Sequence, residues 1–441
     1  MIPEIADKRS HIGQAPGALE YLAQAQREAV LPPLRLRVPP REVGTVAIIG
    51  AGTMGSGIAI AALTAQFDVI LLEQDEAALG RGVARITEHF RGRVAAGKLD
   101  AAAADKAIAQ LSFTTDWTTL ARADLVIEAV FEDLAVKQQV FGLIDEHARA
   151  NAVLATNTSY LDVDAIASAT SRPHDVLGLH FFSPAHVMKL LEVVQGKSTS
   201  ADVLATGMAF GVALGKSPVL TGNALGFIGN RIYNAYRRQC EFMLEDGAWP
   251  EDVDSALTDF GFAMGPFAVA DLSGLDIAWR MRKAQAATRD ARERYVGILD
   301  ELCELGRLGR KSGAGYYVYS DGKRENSTDP VVGEAVVRAS AARGTTRRPL
   351  APAEICDRAL FAMANEAALL IAEGVAARPG DIDVVMTQGY GFPRGRGGPV
   401  YWSRQLSADQ LSQGIAELAR HVGYGFVGSD IALLWKDTND S

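Results

Sequence analysis

The chain has 441 residues, 48% of them hydrophobic and 22% charged, a composition of folded multi-domain proteins rather than of extended disorder. Its net charge of −9 argues against a dedicated nucleic-acid binder. No apolar run approaches membrane-spanning length, the N-terminus carries Glu4 and Asp7 instead of a signal-peptide core, and the closing Asp440-Ser441 is no peroxisomal address. No membrane association and a cytoplasmic location are expected. The cysteines, Cys240, Cys303 and Cys356, are too widely spaced for a metal pattern or a disulfide framework, so no metal is expected.

Residues 1–42 read as a lead-in, with an amphipathic helical stretch over Ala18 to Val30 and a Pro-rich, extended segment from Leu31 to Pro40. Over 43–222, apolar runs alternate with helical patterns, the signature of βαβ units and a parallel sheet. Strands are predicted at Thr45–Gly50, Asp68–Glu73, Leu125–Val130, Ala152–Asn157, Val176–Phe182 and Met188–Val194. Over 223–322 long helical patterns take over, including Asn223–Gly247 and Glu251–Phe260. A polar stretch, 323–348, reads as a connection to a last helical region, 349–441.

The helical part repeats itself. Leu244-Glu-Asp-Gly-Ala-Trp-Pro250-Glu-Asp-Val-Asp254, followed by Gly261-Phe262 and Gly265-Pro266, recurs as Ala372-Glu-Gly-Val-Ala-Ala-Arg-Pro379-Gly-Asp-Ile-Asp383, followed by Gly391-Phe392 and Gly398-Pro399. Two copies are too few for a solenoid and suggest an intrachain pseudo-dimer, hence a monomeric chain.

Gly50-Ala-Gly52-Thr53-Met54-Gly55 follows the first strand and opens an Ala/Ile-rich helix. In that context the glycines serve a tight turn, close approach of a pyrophosphate, and helix–strand contact. The pyrophosphate belongs on the amides of the helix N-terminus. Glu73 ends the second strand, where an acid accepts hydrogen bonds from the adenosine ribose and repels a 2′-phosphate, favouring NAD over NADP. Further strand ends supply Ala129 and Glu132, with Lys137 on the next helix, then Asn157 and Ser159, then His180. Singly, each is as well explained as a cap, a turn or a core residue. A histidine is nevertheless the residue type suited to taking and returning a proton, and Glu192, beyond the Ser183-Pro184 turn, is placed to fix the tautomer of His180.

Taken together, Gly50-x-Gly-x-x-Gly55, Thr156-Asn-Thr-Ser159, Gly178-Leu-His180-Phe-Phe-Ser-Pro-x-His-x-Met-x-Leu-Leu-Glu192 and Gly226-Phe-Ile-Gly-Asn230-Arg resemble the NAD-dependent L-3-hydroxyacyl-CoA dehydrogenases of fatty-acid β-oxidation. The resemblance runs from about Val43 through Met264–Asp276, Leu302–Arg307, Lys311–Tyr317 and Gly389–Pro399. It implies an α/β Rossmann-type NAD-binding domain followed by two tandem all-α C-terminal domains. The doubled helical region and the Ser-Pro-Ala-His run resemble the dehydrogenase half of peroxisomal-type multifunctional enzymes, without the hydratase/isomerase domain, so hydratase activity is not expected.

The resemblance further implies that His180 is the base, Glu192 its partner, and Ser159 and Asn230 the residues that hold the reacting group. Gly50, Gly52, Thr53, Met54, Gly55, Glu73, Ala129, Glu132, Lys137 and Asn157 serve the NAD cofactor. Arg91, Arg93 and Lys98 fall where the family's CoA-contacting helix lies, although a solvated basic face explains them as well. Many members carry Asn where this chain has Ser183; serine keeps a hydrogen-bonding group with a shorter reach, which bears on substrate preference. The substrate is an acyl-CoA, and a hydratase or thiolase is a possible associate. Two other readings stay open: a related dehydrogenase acting on a hydroxy acid without CoA, and a non-catalytic NAD- or acyl-CoA-binding partner of a β-oxidation complex.

Overall fold

A computed structural model describes residues 15–31, 38–325 and 329–436. Most of the Pro-rich segment expected to be extended, 32–37, lies outside the described residues. The chain forms two compact units. One comprises Glu20–Arg231 with Glu373–Tyr390, the other Ile232–Ala372 and Gly391–Lys436 with residues 15–19.

The first unit is built on an eight-stranded sheet. Its strands are β1 (Thr45–Ile49), β2 (Asp68–Leu72), β3 (Leu111–Thr114), β4 (Leu125–Glu128), β5 (Val153–Thr156), β6 (Val176–Phe181), β7 (Leu190–Gln195) and β8 (Ser217–Gly222). They lie in the order 3-2-1-4-5-6-7-8. The first six run parallel, β7 runs antiparallel to β6, and β8 follows β7 in parallel. Between β1 and β4 the strand order reverses, which opens a crevice at the carboxyl ends of the strands, the place where open α/β sheets bind ligands. β1, β2, β4, β5 and β6 are almost wholly buried, as near-continuous apolar runs in a sheet covered on both faces must be.

Helices α2 (Thr53–Thr64), α3 (Glu76–Ala95), α4 (Ala101–Ala109) and α7 (Ala201–Ala213) cover one face, around a core that includes Ile58, Leu71, Phe90, Leu179 and Met208. On the other, α5 (Leu134–His147) and α6 (Val163–Ala167) cover Ile49, Val126 and Leu154, with Phe141 of α5 in the same core. Each such buried side chain stabilises by roughly 1.5–3 kcal/mol, so the strand ends are held by a rigid frame. Asp75, Asp100, Asp133 and Asp162 cap α3 to α6, each carboxylate accepting from an amide of the first turn.

Sequence patterning does not predict β3 or β8. β3 is a sheet edge with two exposed residues, so it lacks the apolar run of the central strands. β8 opens on Ser217-Pro218, which reads as a turn; at the opposite edge a proline is tolerated because no neighbour needs its missing N–H. The lead-in helix α1 (Ala18–Ala29) packs on α15 (Pro379–Gly389), where Tyr21 Oη donates to Asp383 Oδ2 at 2.8 Å and Arg378 Nη1 to Glu28 O at 2.6 Å.

The helix expected over Asn223–Gly247 starts late. Gly226 at φ +78° and Phe227 at φ +51° break the helical path, so α8 spans Gly229–Asp246. Asn223 instead binds Val163 N through its Oδ1.

The second unit is helical, with α9 (Pro250–Phe260), α10 (Pro266–Ser273), α11 (Leu275–Gln285), α12 (Ile298–Glu304), α14 (Pro352–Ala372), α16 (Pro399–Ser403) and α17 (Ala408–Val422) beside the body of α8. The stretch 323–348, expected as a connection, also holds a helix, α13 (Pro330–Ala342), started by Asp329 capping Val331 N and burying Val332, Ala335 and Val336. The Lys311–Tyr317 motif is structural here: Asp271 accepts Tyr316 N and Tyr317 N, while Tyr317 Oη donates to Asp254, which also accepts Phe267 N and Ala268 N. Burial pushes both carboxyls up to about 6 against those donors.

Candidate active site

The glycine loop between β1 and α2 divides its labour as the fingerprint requires. At φ +103° Gly50 has no room for a side chain, since a Cβ would stand 2.7 Å from Ala129 O. A Cβ on Gly55 would lie 1.8 Å from Gly50 O, so helix and turn touch through this glycine. Around Gly52 there is nothing within 4 Å of that position; this face is open above the uncapped first turn of α2. Such a cradle fits a dinucleotide pyrophosphate. Thr53 is exposed at that turn, and Met54 packs part-buried on the core. Glu73 sits at the rim: Oε2 accepts Ala51 N at 3.1 Å and Oε1 accepts Gln74 N at 2.8 Å. Arg85, which sequence reasoning passed over, clamps the loop from α3 by donating to Ser56 Oγ at 2.9 Å and Ala51 O at 3.2 Å.

Lys137 is fully buried. Its ammonium donates to Glu128 Oε1 at 2.7 Å and Asn157 O at 3.1 Å, so its charge is committed to the sheet and braces the crevice from within. Glu128 also accepts Thr156 Oγ1 and Val130 N. Burial pushes its carboxyl up despite Lys137. Glu132 Oε1 accepts Thr158 Oγ1 at 2.6 Å and Ser159 N at 2.8 Å, and Asn157 Oδ1 accepts Phe181 N at 3.0 Å. Ala129 N joins β4 to Ile49 O. Together these bonds tie the ends of β1, β4, β5 and β6 into one ledge.

On that ledge His180 and Glu192 stand directly opposite in the antiparallel β6–β7 register. His180 Nδ1 lies 2.7 Å from Glu192 Oε2, with the imidazole 4% exposed and the carboxylate buried. The late start of α8 has its purpose here: Ile228 N and Gly229 N donate to Glu192 Oε1 at 3.2 and 3.0 Å. The carboxylate thus sits at the head of α8, where backbone amides and the helix dipole favour negative charge. With Nδ1–H donating to Glu192, Nε2 is the nitrogen left facing away from the carboxylate. The rings of Phe182 and Phe227 lie 4.3 and 5.5 Å from the imidazole and shield it. Asn230, in the first turn of α8, donates through Nδ2 to Ser159 O at 3.3 Å, which joins the last two predicted catalytic residues.

The three cations expected to meet CoA part company. Arg91 pairs with Asp105 on the surface at 2.7 Å, and Lys98 is exposed, its carbonyl accepting Arg93 Nη2. Arg93 instead lines a cavity of about 340 Å³ with His89, His186, Lys189 and Lys216. Lys216 Nζ donates to Ala185 O and Met188 O at 2.5 and 2.7 Å, and burial, then Lys189, pulls its ammonium down to about 8. The imidazoles of His89 and His186 stand 4.6 Å apart and are both held low, chiefly by burial. The signal was His186, the histidine that closes the Ser-Pro-Ala-His run.

The model of the 3-hydroxyacyl-CoA dehydrogenase NAD-binding domain matches residues 45–224, and that of the C-terminal domain matches twice, over 226–319 and 355–429. The chain belongs to the 3-hydroxyacyl-CoA dehydrogenase family. The paired match establishes the duplication read from the sequence. Among its relatives, the peroxisomal bifunctional enzyme of Homo sapiens is 42% identical over 82% of this chain and 52% of its own length, and that of Danio rerio is 40% identical over 84% and 53%. The chain therefore spans about half the length of the curated relatives it matches.

Among solved structures, the 3-hydroxybutyryl-CoA dehydrogenase of Escherichia coli aligns with a TM-score of 0.75 at 30% identity, covering 87% of this chain and 96% of the other. The dehydrogenase part of multifunctional enzyme 1 from C. elegans aligns at 0.66 and 26% identity, over 95% and 98%. The expected cytoplasmic location is corrected by these matches: the relatives are named peroxisomal or glyoxysomal, which points away from the cytoplasm. Composition and chain ends carried too little information about compartment to decide it.

Proposed function

We propose that the chain is an NAD-dependent L-3-hydroxyacyl-CoA dehydrogenase, interconverting an L-3-hydroxyacyl-CoA and the 3-ketoacyl-CoA. The observation that carries the proposal is the buried His180–Glu192 pair at 2.7 Å on the ledge beside the glycine cradle. The chemistry an NAD nicotinamide supplies when bound is acceptance of a hydride. His180 Nε2 takes the proton of the C3 hydroxyl as that carbon is oxidised, and returns it in the reverse direction. Glu192 holds Nδ1–H and stabilises the imidazolium that results. The carboxamide of Asn230 and the segment at Ser159 hold the reacting oxygen against Nε2, while Phe182 and Phe227 keep water from the imidazole. Gly50, Gly52, Gly55 and the amides opening α2 receive the pyrophosphate, and Glu73 receives the ribose. Association with a hydratase belongs to the same proposal, supported by the multifunctional names of the relatives.

Loss of NADH absorbance with acetoacetyl-CoA, set against free acetoacetate, tests this reading. CoA-dependent turnover is expected; turnover of free acetoacetate alone, or none, would sink it.

The cationic cavity gives the reading a pH signature. A CoA phosphate seated by Arg93, His186 and Lys216 meets a charged Lys216 below its pKa of about 8 and a neutral one above it. The KM for acetoacetyl-CoA is therefore expected to rise roughly threefold to tenfold as pH climbs through that value, about 0.7–1.4 kcal/mol of lost attraction. The KM for NADH stays level, and Lys216→Met abolishes the rise. Parallel pH profiles for wild type and Lys216→Met would place the CoA phosphates elsewhere.

A further inference from the structure

The second helical copy sends one side chain to the ledge. Tyr390 follows the last turn of α15, in the same compact unit as the sheet. Its hydroxyl donates to Asn230 Oδ1 at 2.8 Å, across 160 positions of sequence. Asn230 Nδ2 meanwhile donates to Ser159 O at 3.3 Å. The two ends of a carboxamide are nearly identical in shape, so only their partners decide which edge faces which way. Here one partner can only accept and the other is able to donate, and the amide has a single orientation that satisfies both.

The tyrosine is itself held firmly. A Cβ on Gly229 would stand 2.1 Å from its ring, so the ring lies against the bare backbone of the α8 residue whose amide supports Glu192. Phe182 meets it edge-on with centroids 5.6 Å apart, and Phe182 is the ring beside His180. The segment leading to α15 is bonded to the sheet edge, Gly222 N to Val375 O at 2.8 Å, with Thr221 bridging Ala376. Gly389 comes so near β7 that a Cβ there would lie 2.4 Å from Leu190 Cδ2.

The two copies differ at this point. Where the second has Tyr390-Gly391-Phe392, the first has Phe260-Gly261-Phe262. The ring is common to both copies and the hydroxyl belongs to the second alone.

We propose that Tyr390 is a positioning residue for the reaction: the carbonyl of Ser159, which can only accept, turns Nδ2 of Asn230 toward itself, and the Tyr390 hydroxyl anchors the Oδ1 end of that carboxamide, so that the second helical copy contributes to the active site as well as to the fold. The inference rests on the reading of Asn230 as a residue that holds the reacting group.

A double-mutant cycle tests it. Acetoacetyl-CoA reduction is measured for wild type, Tyr390→Phe, Asn230→Ala and the pair, with thermal midpoints alongside. Tyr390→Phe keeps the ring that covers Gly229. It is expected to lower kcat about tenfold, leave the KM for NADH unchanged and keep the midpoint near that of wild type. In the Asn230→Ala background the same change alters kcat less than about twofold. Equal effects in both backgrounds, or wild-type kcat in Tyr390→Phe, overturn the positioning role while CoA-dependent turnover leaves the functional reading standing. A wild type without that turnover fails the functional reading, and this inference with it.

Discussion

Replacing His180 with alanine is expected to lower kcat for acetoacetyl-CoA reduction by roughly 10³-fold, the middle of the range for loss of a positioned general acid–base. The imidazole is buried between Phe182 and Phe227, with Nδ1 engaged by Glu192. Alanine also empties the space beside a buried carboxylate. Glu192 keeps the amides of Ile228 and Gly229, so its charge is still met on one oxygen, but the other loses its donor, at about 1–3 kcal/mol. His180→Gln separates the two effects, because its amide can donate to Glu192 without acting as a base. Both variants are expected to bind NADH with wild-type affinity, read by its fluorescence, and to share the loss of kcat. Turnover within about tenfold of wild type in His180→Gln would remove His180 as the base.

Much of this site can be read from residues alone, and the reason differs from part to part. In the cradle Gly50 and Gly55 have no room for a side chain, while Gly52 leaves the face above the first turn of α2 open, and all three jobs are local. The His180–Glu192 pair is legible because two apolar runs joined by a short turn must either pair or part, and pairing puts the residues opposite. Lys137 is a different case. Its position on the helix after β4 is readable, yet nothing local says that the ammonium turns inward to Glu128 instead of outward to a ligand.

The elements that escaped share one property, that their signals are set by distant chain. β8 begins with Ser217-Pro218 and becomes a strand because β7 offers it an edge. The start of α8 is delayed by positive φ at Gly226 and Phe227, and only the position of Glu192 explains why that delay is useful. Tyr390 meets Asn230 across 160 residues. His89 faces His186 because α3 passes the β6–β7 loop. No periodicity records such meetings.

The Glu192→Gln substitution is expected to cost as much activity as loss of the histidine, about 10³-fold or more in kcat, while leaving the fold intact. The glutamine oxygen can continue to accept Ile228 N and Gly229 N, the bonds that anchor this side chain at the head of α8. Its amide nitrogen then faces His180 Nδ1, where Glu192 Oε2 lies at 2.7 Å. An amide can only donate from that end, so Nδ1 must become the acceptor and the ring proton moves to Nε2. In the oxidation direction the nitrogen that should take the substrate proton then already carries one, and in the reduction a neutral imidazole is a far weaker acid than the imidazolium that should deliver the proton. An imidazolium formed in spite of this would also lack the carboxylate that stabilises it. Because both variants remove the same function, Glu192→Gln combined with His180→Ala should be no slower than His180→Ala alone. Thermal midpoints of wild type and Glu192→Gln are expected to lie close together, since volume and backbone bonds are conserved. A kcat near wild type in Glu192→Gln, or a double variant whose losses multiply, would show that Glu192 does not set the tautomer of His180.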